Sequence, residues 1–227
     1  MTYICIIILI LTLISSIFIY KKCKPIKKSE DSVLPLYELL VYTYKLPSII
    51  FYIIPNILLM GLMLYFRFFN VEISINSIYE LIKIFAISQI GFYLISVDLK
   101  TFRIPNKITL PTILSLLVYS LLPPFFAWES ILCAIIAFAI IFILQIINPN
   151  GIGGGDAKLC AILGFMMGMY MESVFFVLLG FVLGGLFNIL FMTMRLIRRK
   201  DYVPYGIYFY IGACLIYAFK DFIFIVS

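Results

Sequence analysis

Eight apolar runs decide what this chain can fold into. They fall near 3–20, 47–66, 79–97, 108–127, 130–147, 157–170, 173–194 and 207–226. Most approach the length of about 20 residues that an α-helix needs to cross the hydrocarbon layer of a bilayer. Of the 227 residues, 64% are hydrophobic and 12% charged, whereas a soluble domain carries roughly 25% charged residues. Too few polar side chains remain to coat a globule of this size. The expected fold is all-α, a polytopic membrane protein of about eight transmembrane helices with short loops. The sixth run is the shortest and follows a glycine-rich loop, an interruption that often marks a functional site in membrane proteins.

Charge then orients the chain. If eight spans alternate, 14 of the 17 Lys and Arg residues fall on one side, and Arg67, Lys83 and Lys220 are the exceptions. Basic loops stay in the cytoplasm, so both termini are expected outside. The formal charge of +6 is then a topology signal beside anionic lipid, and no nucleic-acid partner is expected. The first run precedes its lysines and has no small-residue cleavage site, so residues 1–20 read as a retained anchor, not a secretion signal. Residues 21–46 read as a short cytoplasmic linker and 47–227 as the membrane core.

Composition closes several kinds of chemistry. The chain has no histidine, which excludes HExxH metal sites and Ser–His or Cys–His nucleophile pairs. Its five cysteines, Cys5, Cys23, Cys133, Cys160 and Cys214, form no CxxC pair, so neither a zinc site nor a disulfide framework is expected. Carboxylates at membrane boundaries remain, and such groups are costly enough to be functional candidates by default. Asp98 ends the third run, and Asp156 ends the loop Asn150-Gly151-Ile152-Gly153-Gly154-Gly155-Asp156. The chain leaves Asp98, crosses in run four and returns in run five, so both aspartates belong to the cytoplasmic side.

Two carboxylates at short range do not both ionise easily and share one proton. The ionised partner then draws a proton from water while the neutral one hydrogen-bonds a scissile carbonyl. Asp156 opens a helix, whose N-terminus favours an anion, and Asp98 closes one. Asp156 is therefore expected as the base and Asp98 as the proton holder. Gly153, Gly154 and Gly155 have no Cβ, which lets a peptide backbone approach Asp156 and permits positive φ in a tight turn; taken by themselves they favour a plain flexible turn, and Asp156, Lys158 and the matching Asp98 loop reverse that reading. Lys158 either steers that backbone or pairs with Asp156, or it is a snorkelling lysine. GxxxG spacing at Gly164 and Gly168, and at Gly180 and Gly184, reads as helix packing. Ser88, Gln145 and Asn188 are polar positions expected to bond between helices.

Gly153-Gly154-Gly155-Asp156 fits GxGD, and the longer pattern runs through Lys158 and Leu159 to Gly164. Asp98 is followed by Arg103-Ile104-Pro105-Asn106, and Val203-Pro204-Tyr205-Gly206 precedes the last run, with Ile207 where proline is usual. Over roughly 47–226 the chain resembles the type IV prepilin peptidases, membrane aspartyl proteases of the GxGD class. The resemblance implies that Asp98 and Asp156 are catalytic; the residues themselves make Gly153, Gly154, Gly155 and Lys158 the expected substrate contacts. It further implies that the chain cleaves the short basic leader of prepilins or pseudopilins at the cytoplasmic face of a bacterial inner membrane. Many members carry a domain with two CxxC pairs, tied to N-methylation, between the first two spans; this chain has Cys23 alone there. No metal or cofactor is expected, with S-adenosylmethionine needed only if methylation is retained. Presenilin-like GxGD proteases match less well, since Val97 stands where they have tyrosine and no Pro-Ala-Leu occurs. The competing class is a transporter or ion-binding membrane protein with a Gly-broken helix, which calls for polar residues at the midplane. An inactive scaffold of a pilus or secretion machine is a third class.

Overall fold

The computed structural model describes residues 2–22, 48–68, 74–101, 104–121, 127–148, 152–195 and 203–223. The expected linker with Cys23, Glu30, Asp31 and Glu38, together with Arg103 and Arg198–Lys200, lies outside them. The described residues form eight α-helices and no strand: α1 (Thr2–Lys22), α2 (Ser48–Phe68), α3 (Ile75–Thr101), α4 (Asn106–Leu121), α5 (Trp128–Ile147), α6 (Gly154–Gly164), α7 (Tyr170–Thr193) and α8 (Gly206–Ile223). Every apolar run has its helix. Helices α3, α5, α7 and α8 are long and apolar enough to cross a membrane, and α1 and α2 contribute shorter apolar stretches. The molecule is a polytopic membrane protein.

The sixth run departs from the expected span of 157–170. Its helix stops at Gly164 and rises about 16 Å, roughly half of the hydrocarbon thickness. The chain then tightens into i→i+3 bonds, Phe165 N to Ile162 O, Met166 N to Leu163 O and Met167 N to Gly164 O. Phe165, Met166 and Met167 are all buried. Backbone can leave a helix at such depth only if its polar groups are satisfied within the protein. Here Ser130 Oγ donates to Met167 O (3.1 Å), and Glu172 Oε2 accepts from Gly168 N (2.7 Å) and Met169 N (3.3 Å). Gly168 therefore sits in a capped turn and not on a packing face, which corrects the GxxxG expectation for it.

Glycine sets how closely the helices meet. A Cβ on Gly164 would lie 2.6 Å from Ala134 Cα and 2.9 Å from Cys133 O, so α6 touches α5 backbone to backbone. Between α7 and α8 the contact is similar: a Cβ on Gly180 would meet Phe209 Cα at 3.0 Å, and one on Gly212 would meet Phe176 O at 2.8 Å. Such approach gains dispersion and excludes lipid, the main sources of helix association where no water is present. Short α6 thus lies among α3, α4, α5 and α8, with Ala157 and every residue from Leu159 to Gly164 buried.

Polar side chains tie the other helices. Asn56 Nδ2 of α2 donates to Ser16 Oγ of α1 (3.0 Å) and to Gln89 Oε1 of α3 (2.9 Å). Ser15 bonds Gln89 as well. Tyr210 of α8 donates to Asn56 Oδ1 (3.4 Å) and shares a hydrogen bond with Ser88 Oγ (2.8 Å). At one end of the bundle, the three exceptional basic residues are compensated. Arg67 pairs with Asp221, Arg67 and Lys220 each lie 4.0 Å from Glu80, and Lys83 Nζ donates to Ser130 Oγ (3.2 Å). Glu80 is 18 residues before Asp98 on α3, about 27 Å along the helix, so this cluster and the aspartates occupy opposite ends.

Overpacking a tight helix contact costs about 1–3 kcal/mol. Gly164→Ala is expected to lower the melting temperature in detergent. Gly185→Ala is the control: its Cβ would meet nothing within 4 Å, and it should melt as the parent does.

Candidate active site

Three chain segments converge at the end of the bundle opposite the Arg67–Glu80 cluster. Asp98 lies in the last turn of α3, Asp156 in the first turn of α6, and Gly206 begins α8. Asp98 is buried and Asp156 half-buried. A Cβ built on Gly206 would stand 3.4 Å from Asp98 Oδ2 and 3.7 Å from Asp156 Oδ1. The two carboxylate oxygens are therefore separated by no more than the sum of those distances. Among the described residues, neither carboxylate has an ion-pair partner. The structure thus brings together the aspartates that the sequence placed on one side.

Local geometry aims Asp156. Its Oδ2 accepts the backbone N–H of Gly153 (3.3 Å), the residue ahead of the helix, which is the carboxylate half of a capping box. The other oxygen, Oδ1, is the one that lies 3.7 Å from the Cβ position of Gly206. Asp156 stands ahead of the sixth apolar run, and burial raises its carboxyl to about 6, with the Gly153 hydrogen bond pulling the other way. Asp98, by contrast, sits where helix carbonyls end, a poor place for an anion.

The three glycines work differently from expectation. No described glycine has positive φ, and Gly153 is extended, at φ −79° and ψ 143°. A Cβ on Gly155 would lie 2.9 Å from Ile104 Cβ, and one on Gly154 would lie 3.1 Å from Gln145 Nε2. These two glycines admit the chain's own side chains, which hold the segment after Asp98 and the end of α5 against α6. Gly153 is exposed, and a Cβ there would meet only Asp156 Oδ2 and Gly155 N within 4 Å. Lys158 donates to Asn106 Oδ1 at 2.6 Å, tying α6 to the start of α4. It does not pair with Asp156. Ser88 and Asn188 do bond across elements, to Tyr210 and Tyr205, whereas Gln145 packs its amide against Gly154.

Gly206 and Leu159 both stand in the sequence motifs, but neither was expected in the site. Leu159 is fully buried and lies three residues after Asp156, hence on the same face of α6. That spacing and the shared side of residues 203–206 were the available signals.

Residues 85–189, which hold both aspartates, the three glycines and Lys158, match the model of the type IV leader peptidase family. A prepilin leader peptidase/N-methyltransferase of Bacillus subtilis (strain 168) is similar, at 31% identity over 128 residues. That match covers 55% of this chain and 50% of the relative, so the chain spans about half the length of the curated relative it matches. No solved structure matches. Within the matched segment, Asp98 lies 13 residues from the N-terminal edge, and Gly206 lies beyond the C-terminal edge.

Burying a carboxylate penalises its charged form, and the sign of the resulting pH effect is fixed. With its folded value raised to about 6 above the ordinary carboxylate range, Asp156 destabilises the fold at high pH, and the penalty disappears as pH falls through that window. Asp156→Asn should therefore melt higher than the parent at pH 8. The margin should shrink below pH 6 and close near pH 4, as read by thermal denaturation in detergent.

Proposed function

We propose that the chain is a membrane aspartyl endopeptidase that removes the short basic leader of type IV prepilins or pseudopilins. Asp98 and Asp156 would activate water at the cytoplasmic face of a bacterial inner membrane. The observation that carries this reading is the approach of both carboxylates to the same point beside Gly206, in a segment of leader peptidase sequence.

In the proposed reaction, ionised Asp156 takes a proton from water as the water oxygen bonds to the scissile carbonyl carbon. Protonated Asp98 gives its proton to the carbonyl oxygen, forming a tetrahedral diol. On collapse, the C–N bond breaks, Asp156 returns its proton to the leaving nitrogen, and a diol hydroxyl returns a proton to Asp98. One water and one peptide bond become a carboxylic acid and an amine, and both side chains recover their starting states. No covalent enzyme intermediate, metal or cofactor enters this scheme. Exposed Gly153, next to Asp156, is where an extended substrate backbone would run. The proposed partners are the prepilin-type substrate and the lipid bilayer. The methyltransferase named for the B. subtilis protein stays with that protein.

The transporter reading is less well supported. Its polar residues would line a path across the bilayer, but Ser15, Ser16, Asn56, Gln89 and Tyr210 bond one another between α1, α2, α3 and α8.

General acid–base groups contribute roughly 10²–10⁴-fold. Co-expressed with a prepilin-type substrate, Asp98→Asn and Asp156→Asn should each cut leader removal by about 10³-fold while inserting normally. Undiminished processing by either variant would reject the paired mechanism. Infrared spectra give a separate check on the proton. The protonated-carboxyl band should vanish in Asp98→Asn, and its persistence there would reverse the assignment.

A further inference from the structure

Glycine is demanded at several positions of this fold for reasons that fail at Gly206. At Gly164, Gly180 and Gly212 a Cβ would strike the backbone of a neighbouring helix. The three nearest atoms to a Cβ on Gly206 all belong to side chains: Leu159 Cδ2 at 3.1 Å, Asp98 Oδ2 at 3.4 Å and Asp156 Oδ1 at 3.7 Å. Its φ is not positive either, since no described glycine has one. Neither helix contact nor backbone conformation calls for glycine here.

The distances also say what a side chain would do. Contacts of 3.4 and 3.7 Å are ordinary, so a methyl group on residue 206 would fit beside both carboxylates without displacing them. The terminal methyl of Leu159, at the flexible end of its side chain, would have to yield by a few tenths of an ångström. The place a methyl would take is about the size of a water molecule. Two carboxylate oxygens and a methyl of buried Leu159 lie within 4 Å of it. A water needs at least two polar partners to be held in a protein interior, and the carboxylates supply two.

We infer that Gly206 is a positioning residue: its missing side chain reserves the place between Asp98 and Asp156 for the attacking water, beside the apolar wall of Leu159. This inference rests on the aspartyl reading above. It adds a residue from α8, outside the segment that matches the family model, to a site otherwise drawn from α3 and α6.

The test uses the full chain, purified in detergent, with a prepilin-type substrate carrying a basic leader. The variants are Gly206→Ala, Leu159→Val and their double mutant, beside Asp98→Asn and Asp156→Asn. Misplacing a reacting group by about 1 Å costs on the order of 100-fold, and Gly206→Ala should lose about that much in kcat. Its KM should stay near the parent's and its melting temperature unchanged. Leu159→Val sets the reference for the double mutant, which should fall as far below Leu159→Val as Gly206→Ala falls below the parent. Near-parental kcat in Gly206→Ala overturns the inference. So does recovery in the double mutant, which would trace the loss to crowding against Leu159. If Gly206→Ala fails to accumulate, the double mutant, relieved of that contact, is read in its place, and normal cleavage by it overturns the inference. Full cleavage by either Asp→Asn variant is a different failure: it removes the aspartyl reading and the inference with it. Normal cleavage by Gly206→Ala alone leaves the carboxylates standing.

Discussion

Backbone contact between α6 and α5 is the constraint on which the site depends. Because Gly164 presents no side chain to Ala134 and Cys133, an eleven-residue helix can lie wholly inside the bundle. Such a helix cannot reach both membrane surfaces. Its N-terminus is fixed at the depth where α3 ends, and this brings Asp156 to Asp98. The turn after Gly164 is the counterpart of that arrangement. It leaves backbone groups of Met167, Gly168 and Met169 without helical partners, and Ser130 and Glu172 satisfy them.

The two ends of the bundle treat charge in opposite ways. At one end Arg67, Lys220, Glu80 and Asp221 neutralise one another, and Tyr217 donates to Glu80 at 2.8 Å. At the other end two acids stand together with no described cation between them. Pairing favours ionised groups, while crowding like charges in a half-buried place favours retention of a proton. Asp156 illustrates the cost: burial raises its carboxyl, and the single Gly153 N–H that orients it offsets only part of the effect.

Much of this was legible in the sequence, for identifiable reasons. Hydropathy fixed the existence of every helix because a bilayer leaves few alternatives. The side shared by Asp98 and Asp156 followed from alternation and loop charge. The length of α6 was not legible: Phe165, Met166 and Met167 are as apolar as a continuing helix, and the break depends on partners at Ser130 and Glu172 that are distant in sequence or capped locally. Gly154 and Gly155 looked like room for a substrate because a sequence does not reveal that Gln145 and Ile104 return to fill it. Gly206 was overlooked because it reads as the start of a span. Only three-dimensional proximity reveals that it borders both carboxylates. The basic residues Arg67, Lys83 and Lys220 looked like exceptions to orientation because their acidic and hydroxyl partners come from other helices.

The hydrogen bonds that Ser15 and Ser16 make to Gln89 and Asn56 change what α1 is for. A tether could be exchanged for any other greasy segment of equal length. This helix instead completes a polar seam that runs through Asn56 to Tyr210, one turn along α8 from Gly206. Replacing its serines with leucine would take a hydrogen-bond partner each from Gln89 and Asn56 in the interior of the bundle.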